Sequence, residues 1–296
     1  MIPKRIEMPV QVEEILGKLR EHGYEAFAVG GCVRDAILGR IPGDWDITTS
    51  AHPEEVKQVF GHTIDTGLQH GTVTVMRDHI GYEITTYRID GEYEDGRHPK
   101  EVVFTAELRE DLRRRDFTIN AMAYSHETGI VDIFGGAEDL AARRIRCVGD
   151  AGERFTEDAL RILRAVRFSA QLGFSIEKKT WQALCELAPS LVHVSKERVQ
   201  VELTKTLLSD RPEFIWKTEA AGLAPYISKT FPEVFAAWKK QKSCAKQRLE
   251  EKVYSKDVPA ADKDAIKTET VAIKEPETAV CLDTGKTAYH NSDSQN

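Results

Sequence analysis

Hydrophobic and polar positions follow two different periods along the first 150 residues. Apolar residues at helical spacing predict helices, whereas short β-branched or aromatic runs predict strands. The predicted helices span residues 10–22, 33–38, 53–60 and 107–115. The predicted strands span residues 26–29, 46–49, 71–76 and 82–88, of which the last two are paired. This mixture predicts an α+β head rather than a regular parallel sheet.

From about residue 156 the pattern is helical, and no stretch has the features of a strand. The predicted helices span residues 157–172, 178–187, 196–208 and 212–221. We therefore predict a mixed head over residues 1–150 and an all-helical region over residues 151–240.

Residues 241–296 differ from both regions. Leu, Ile, Val and Phe together account for 8 of these 56 residues, which is too few to support a core. We expect this segment to be disordered or only partly helical.

Composition excludes several classes of protein. The net charge of −7 argues against a global basic field, so any nucleic-acid contact needs a local basic patch. Five widely spaced cysteines without a CxxC pair argue against a disulfide framework or a zinc knuckle and suit a reducing compartment. No signal peptide or membrane span is recognisable, so we expect a soluble, cytoplasmic protein; its oligomeric state stays open.

The densest candidate site combines a glycine turn with two acids. Gly30 and Gly31 stand at a strand-to-helix turn, where backbone N–H groups can approach a phosphate, and Arg34 follows one turn later. Asp44 and Asp46 are two apart and so face one side of an extended segment. Two carboxylates beside phosphates suit Mg²⁺. Each feature alone is most often an ordinary turn or loop pair, but their combination favours function.

A third acid, Glu83, lies on the predicted strand 82–88. It is either a further metal ligand or proton acceptor, as phosphoryl transfer requires, or a plain solvent-facing glutamate. Walker-type and GxGxxG motifs are absent, which disfavours P-loop and Rossmann chemistry.

Two arginine clusters follow. Arg113, Arg114 and Arg115 end the helix 107–115, where cations favour the helix dipole, and the nearby Asp116 and Asn120 could bind ribose hydroxyls and phosphate.

The second cluster begins with Thr156, a plausible N-cap for the helix 157–172. Glu157 and Asp158 follow in its first turn and could pair with Arg161. Three arginines spread along one side of the helix at Arg161, Arg164 and Arg167. Without matching acids, such a ladder points to a bound nucleoside triphosphate or RNA backbone.

These clusters, in this order, resemble the class II tRNA nucleotidyltransferases, the CCA-adding enzymes of the polymerase β-like superfamily. The resemblance covers the chain to about residue 225. It rests on five stretches: GGCVRD followed by DWD; RRRDFTINAM; DIFGGAEDL followed by IRCVG; EDALRILRAVRF; and SKERVQVEL.

The resemblance implies a nucleotidyltransferase catalytic head over residues 1–150 and a helical, nucleotide-selecting neck and RNA-binding region over residues 151–240. It also implies a role for each candidate residue. Asp44 and Asp46 would hold Mg²⁺, and Glu83 would be the third acid of the catalytic set. The nucleotide would be bound by Gly30, Gly31, Arg34, Arg115, Asp116, Asn120, Asp158, Arg161, Arg164 and Arg167.

Base selection has a physical basis that does not depend on the family. Cytosine and adenine both place an exocyclic amine beside a ring-nitrogen acceptor, so a carboxylate and a guanidinium can pair with either. Asp158 and Arg161 are the expected pair. Uracil and guanine place a carbonyl where the amine should be and would leave buried groups unpaired.

The implied reaction is template-independent addition of CCA to the 3′ end of tRNA from CTP and ATP, with release of pyrophosphate. The loop at residues 93–99, whose counterpart is lacking in related enzymes that add only CC, favours addition of the terminal A. The alternatives are a poly(A) polymerase of the same family and a nucleotide- or RNA-binding remnant with little turnover. The family's longer body and tail find no match in residues 241–296, so we expect a natural short form or a truncated gene.

Overall fold

The computed structural model describes residues 3, 5–91, 102–233, 236 and 240. The chain divides into two units, Met1–Phe235 and Ala236–Asn296, and the elements named below all belong to the first. The loop at residues 93–99 and the segment 241–296 lie outside the described residues. The domain boundary at residue 150 stays a prediction.

The head carries four helices and four strands within two residues of their predicted positions, together with strands that were not predicted. Its elements are α1 (Val10–Glu21), β1 (Ala26–Val29), α2 (Gly31–Ile37), β2 (Ile47–Thr49), α3 (Pro53–Val59), β3 (Thr63–Gly67), β4 (Thr72–Arg77), β5 (Ile80–Thr86), β6 (Arg88–Asp90), β7 (Val102–Phe104), α4 (Leu108–Arg113), β8 (Met122–Ser125), β9 (Gly129–Asp132), α5 (Gly136–Ala141) and β10 (Arg144–Ile145).

The unpredicted strands have weak sequence signals for a physical reason. β3 is the edge strand of the sheet and has no fully buried residue, so it lacks an apolar face. β8 is buried at all four positions, so its polarity does not alternate and the strand period cannot be seen.

Seven strands form one mixed sheet in the order β3-β4-β5-β2-β1-β8-β9. β2 and β5 run parallel, and the other neighbouring pairs are antiparallel. This arrangement confirms the α+β class.

The two faces of the sheet are covered unequally. Helices α1 and α3 pack on one face, where residues such as Ile15 and Val56 join Ile84 in the main core. On the other face α4 covers only part of the sheet, where its Leu112 packs against Phe27 and neighbouring residues. Near β5 that second face stays open to solvent, so polar side chains can stand there.

The neck is helical apart from one short strand. Its elements are α6 (Ala151–Glu157), α7 (Leu160–Leu172), β11 (Ser175–Ile176), α8 (Lys178–Glu186), α9 (Lys196–Leu207), α10 (Trp216–Ala220) and α11 (Ala224–Ile227). The prediction that no strand follows residue 156 is wrong, since β11 pairs in parallel with β10. Two residues are too few to show a period. The predicted helix 212–221 is a 3₁₀ turn, Pro212–Ile215, that continues into α10.

The predicted continuous helix 157–172 is also wrong. The backbone of Asp158 is extended, with φ −142° and ψ 102°, and it separates α6 from α7. The N-cap of α6 is Asp150, whose carboxylate accepts from the Glu153 N–H at 3.0 Å. Thr156 lies inside α6 and donates to the carbonyl of Gly152 at 2.8 Å, so it is not an N-cap.

Helices α7 and α9 are joined by a buried ion pair. The Arg167 guanidinium donates to the carboxylate of Glu202, and the two side chains are 8% and 5% exposed. A charge removed from water needs such a partner, because an unpaired buried ion costs several kcal/mol.

Among the helices that the structure describes, none has the length and apolarity to cross a membrane.

We expect Glu202→Ala to destabilise the protein by about 3–5 kcal/mol, because Arg167 would keep a buried charge without its counter-ion. Urea unfolding of the parent and the variant measures this difference. Glu197→Ala is the matched control, since Glu197 lies on the same helix but is exposed. A loss for Glu202→Ala no larger than for the control would contradict the expectation.

Candidate active site

Strand pairing brings the glycine turn and two of the predicted acids to one end of the sheet. In the antiparallel pair of β1 and β2, Ala28 lies opposite Ile47, and the Val29 N–H donates to the carbonyl of Asp46 at 3.0 Å. In the parallel pair of β2 and β5, Ile47 lies opposite Ile84. The end of β1, the start of β2 and the position of Glu83 on β5 are therefore neighbours.

Gly30 is required by the geometry of this turn. Its φ is +85°, a conformation that L side chains rarely adopt, and a Cβ there would lie 2.8 Å from Nη1 of Arg115. Its own N–H donates to the carbonyl of Met122 at 3.1 Å. Gly31 then begins α2, which confirms the predicted strand-to-helix turn.

Asp44 and Asp46 are both exposed, whereas Trp45 between them is buried in the main core. This confirms the predicted alternation. Surrounding protein atoms raise the pKa of Asp46 above 3.8, the negative charges of Asp44 and Glu83 raise it further, and Arg115 opposes them. Asp44, Glu83 and Arg115 therefore lie close enough to Asp46 to act on its charge, and the three acids are exposed to solvent.

Asp44 and Asp46 are the candidate metal ligands of the site. Within the described part of the chain, no three His, Cys, Asp or Glu side chains are grouped closely enough to hold a metal ion by themselves. Mg²⁺ is usually held by one or two carboxylates together with water and substrate phosphates. The Asp44–Asp46 pair fits that mode of binding.

A chain of hydrogen bonds runs from α2 to α7. Arg34 forms a two-point contact with Asp35, at 2.9 and 2.8 Å, and also donates to the side-chain oxygen of Asn120. Asn120 in turn donates to Asp116 at 3.0 Å. Asp116 accepts from Nε and Nη2 of Arg164, at 2.7 and 2.6 Å. Four predicted site residues are therefore in one hydrogen-bonded network: Arg34, Asn120, Asp116 and Arg164.

Asp116 is ionised in this network. Burial by itself raises the pKa of its carboxyl, but Arg164, Asn120 and Arg161 outweigh burial and lower the pKa to about 2. The carboxylate therefore stays charged well below neutral pH.

The arginines of α7 do have matching acids, two of which the sequence interpretation missed. They form three ion pairs: Arg161 with Glu157, Arg164 with Asp116, and Arg167 with Glu202. The argument that an unmatched ladder requires a bound anion is wrong. Two of the acids come from distant parts of the chain and leave no periodic signal near α7. Three cations, Arg34, Arg164 and Arg167, also lie over the ring of Phe168, at 5.2, 5.2 and 4.0 Å from its centroid.

The proposed base-reading residues have separate partners in this structure. The carboxylate of Asp158 accepts from the Leu160 N–H at 3.0 Å and from Arg198 at 2.8 Å. Arg161 donates to the carbonyls of Arg154 and Arg114, both at 3.0 Å. The two side chains lie on either side of the start of α7.

Sequence reasoning also missed two residues that border the site. Asp111 is fully buried and pairs with Arg114 and Arg115; its spacing of three and four from these arginines was a visible signal on a predicted helix. Arg198 contacts Asp158 across 40 residues of sequence, for which a single sequence offers no signal.

Comparison with known proteins identifies the group to which this chain is related. Residues 26–146 match the family described as "Poly A polymerase head domain", and residues 173–229 match "Probable RNA and SrmB- binding site of polymerase A". The CCA-adding enzyme of Leuconostoc mesenteroides subsp. mesenteroides is 54% identical over 202 residues, which are 68% of this chain and 50% of that protein. The chain belongs to the family of the poly(A) polymerase head domain and the CCA-adding enzymes.

A second curated relative has a similar degree of identity to this chain. The CCA-adding enzyme of Geobacillus thermodenitrificans is 53% identical over 214 residues, 72% of this chain and 53% of that protein. The chain therefore spans about half the length of these curated relatives.

Solved structures of the family show the same architecture. The CCA-adding enzyme of Bacillus stearothermophilus in complex with CTP has a TM-score of 0.70 and 44% identity, over 75% of this chain and 54% of that one. A tRNA nucleotidyltransferase with a primer tRNA and an incoming ATP analogue has a TM-score of 0.64 and 29% identity, over 79% of this chain and 68% of that one.

We expect Asp46→Asn to raise the Tm at pH 7–8. A carboxyl whose folded pKa lies above its unfolded value opposes folding once it is ionised, so removing its charge stabilises the fold. Below pH 3.8, where both states of the parent are protonated, the gain should vanish. Thermal unfolding of the parent and the variant at both pH values checks this; an equal gain at both would contradict the electrostatic cause.

Proposed function

We propose that the protein adds C and A nucleotides from CTP and ATP to the 3′ end of tRNA without a template and releases pyrophosphate. The observation that carries this proposal is the gathering of Asp44, Glu83 and Arg115 around Asp46, beside the turn at Gly30. The substrate class is taken from the named relatives. Because the chain spans half of their length, its activity, substrates and partners are all part of this proposal.

The carboxylates prepare the reacting groups. Asp44 and Asp46 would hold Mg²⁺, which when bound offsets the charge of the triphosphate. The tRNA 3′-hydroxyl attacks the α-phosphorus, one P–O bond forms, the bond to the β-phosphate breaks, and pyrophosphate leaves. Glu83 is exposed on β5, which pairs with β2 beside Asp46, and it would accept the proton of the hydroxyl.

The cations and polar residues bind the nucleotide. The Gly30-Gly31 turn leaves room for phosphate, and Arg34 and Arg115 lie beside it. Asp116 and Asn120 would accept and donate hydrogen bonds at the ribose, as an ionised carboxylate and an amide can. Arg164 and Arg167 each form an ion pair with an acidic side chain. Both arginines remain our candidates for nucleotide contact.

Base selection is assigned to the start of α7. Asp158 would accept from the exocyclic amine and Arg161 would donate to the ring nitrogen of cytosine or adenine. Arg198 and the Leu160 N–H each take one oxygen of Asp158. Each oxygen keeps a lone pair for a base.

Two other functions are alternatives to this proposal, and one of them has specific support. A poly(A) polymerase is favoured by the names of the two matched families, and it would make long A tails instead of adding three nucleotides. The other alternative, a nucleotide- or RNA-binding protein with little turnover, stays a prediction. It would bind ATP without releasing pyrophosphate.

Incubation with tRNA that ends at the discriminator base, with labelled CTP and ATP supplied separately and together, tests the proposal. We expect addition of CCA, and abolished incorporation by Asp44→Ala with Asp46→Ala because the metal site is lost. Glu186→Ala, an exposed change on α8, should behave like the parent. Undiminished incorporation by the double variant would overturn the assignment, and long A products would favour the polymerase.

We expect Asp158→Ala to reduce the preference for CTP over UTP by about 5- to 150-fold, because a mismatched buried polar group costs about 1–3 kcal/mol. Nucleotide binding by the parent and the variant measures the ratio. A ratio that stays unchanged would place base selection elsewhere.

A further inference from the structure

Asp111 is a fully buried carboxylate that the proposed reaction leaves without a role. Its Oδ1 accepts from Nε and Nη2 of Arg114, at 3.0 and 2.8 Å, and its side chain is 0% exposed. Burial by itself raises the pKa of Asp111, but Arg114, Arg115 and the Thr48 hydroxyl outweigh it and lower the pKa. A buried charge held in this way is costly to keep, so its placement calls for a reason.

The second oxygen of Asp111 contacts the strand that carries Asp46. The hydroxyl of Thr48 donates to Oδ2 at 3.0 Å. Thr48 is two residues after Asp46, so both side chains point to the same face of the sheet. Helix α4 is thereby tied to the catalytic strand.

The same oxygen lies 3.6 Å from Nη2 of Arg115. The other end of that guanidinium reaches the glycine turn, where Nη1 lies 2.8 Å from the position a Cβ would take on Gly30. Nε of Arg115 is buried and has no hydrogen-bond partner within the described residues. A buried N–H without an acceptor costs about 1–3 kcal/mol, and a phosphate oxygen beside the glycine turn would satisfy it.

We propose that Asp111, held by Thr48, is a positioning residue that fixes Arg115 for contact with the triphosphate. The inference rests on the proposed function in one respect, that the ligand at the turn is a nucleoside triphosphate. Two carboxylates act on Arg115: Asp111, 3.6 Å away, and Asp46. On this proposal the contact with Asp111 keeps Arg115 from pairing with Asp46.

A double-mutant cycle separates positioning from simple structural support. Affinity for ATP is measured on the full chain for the parent, Asp111→Asn, Arg115→Ala and the double variant, and Tm is recorded for each. Asn keeps the shape of Asp111 but loses its charge. We expect each single change to weaken ATP binding about tenfold, the size of one charge-assisted hydrogen bond, and the double variant to match Arg115→Ala alone, because Asp111 acts through Arg115.

AMP provides a readout that a structural role would not move. If Asp111 positions Arg115 for the triphosphate, Asp111→Asn weakens ATP binding and leaves AMP binding unchanged. Equal losses for both ligands, or additive losses in the cycle, would overturn the inference. Glu110→Gln is the matched control, since Glu110 is on α4 but pairs with Arg113.

Thr48→Val keeps the experiment decisive should Asp111→Asn fail to fold. Valine has the shape of threonine without the hydroxyl, and we expect a threefold to tenfold loss of ATP affinity, about the size of one neutral hydrogen bond. Full ATP affinity in Thr48→Val would refute the tie between Thr48 and Asp111. If the parent chain binds ATP but adds no nucleotide to tRNA, the proposed function is refuted and the double-mutant cycle can still be measured. If the parent chain does not bind ATP, the inference itself is refuted.

Discussion

The register between β1, β2 and β5 is the constraint on which the site depends. Because side chains alternate along a strand, a slip of one residue would turn Asp46 into the core and Trp45 out to solvent. The register is held by the apolar residues of the covered face, such as Ile47 and Ile84. The same packing that buries these residues therefore points the candidate catalytic acids at the open face, and the end of β1 supplies the glycine turn beside them.

A second constraint is the pairing of buried charge between the head segment around Asp116 and helix α7. Arg164 reaches Asp116, Arg161 donates to the carbonyl of Arg114, and Phe168 packs edge-on against Phe117. Each of these contacts removes polar or apolar surface from water while satisfying the charges involved. They fix the start of α7, with its base-reading candidates, against the segment that carries Arg115.

The site combines groups that are costly to the fold with groups that support it. Asp46 opposes folding when ionised, since burial and two nearby acids raise its pKa. Asp111 and Asp116 are stabilised as anions, because guanidinium groups surround them. Such a division is expected where a site gathers like charges for a ligand that will neutralise them.

Elements with local signals could be predicted from the amino-acid order. The period of apolar residues predicted α1 and four of the seven strands of the central sheet, the Gly30-Gly31 pair marked the turn, and the spacing of Asp44 and Asp46 showed that they share a side. Which charges meet depends instead on the packing of the folded chain. Glu202 pairs with Arg167 and Arg198 with Asp158 across 35 and 40 residues, and Asp158 interrupts a stretch that reads as one helix. Hydrophobic periodicity is set by neighbours along the chain, whereas a buried ion pair depends on which distant segments pack together, so a single sequence carries no record of it.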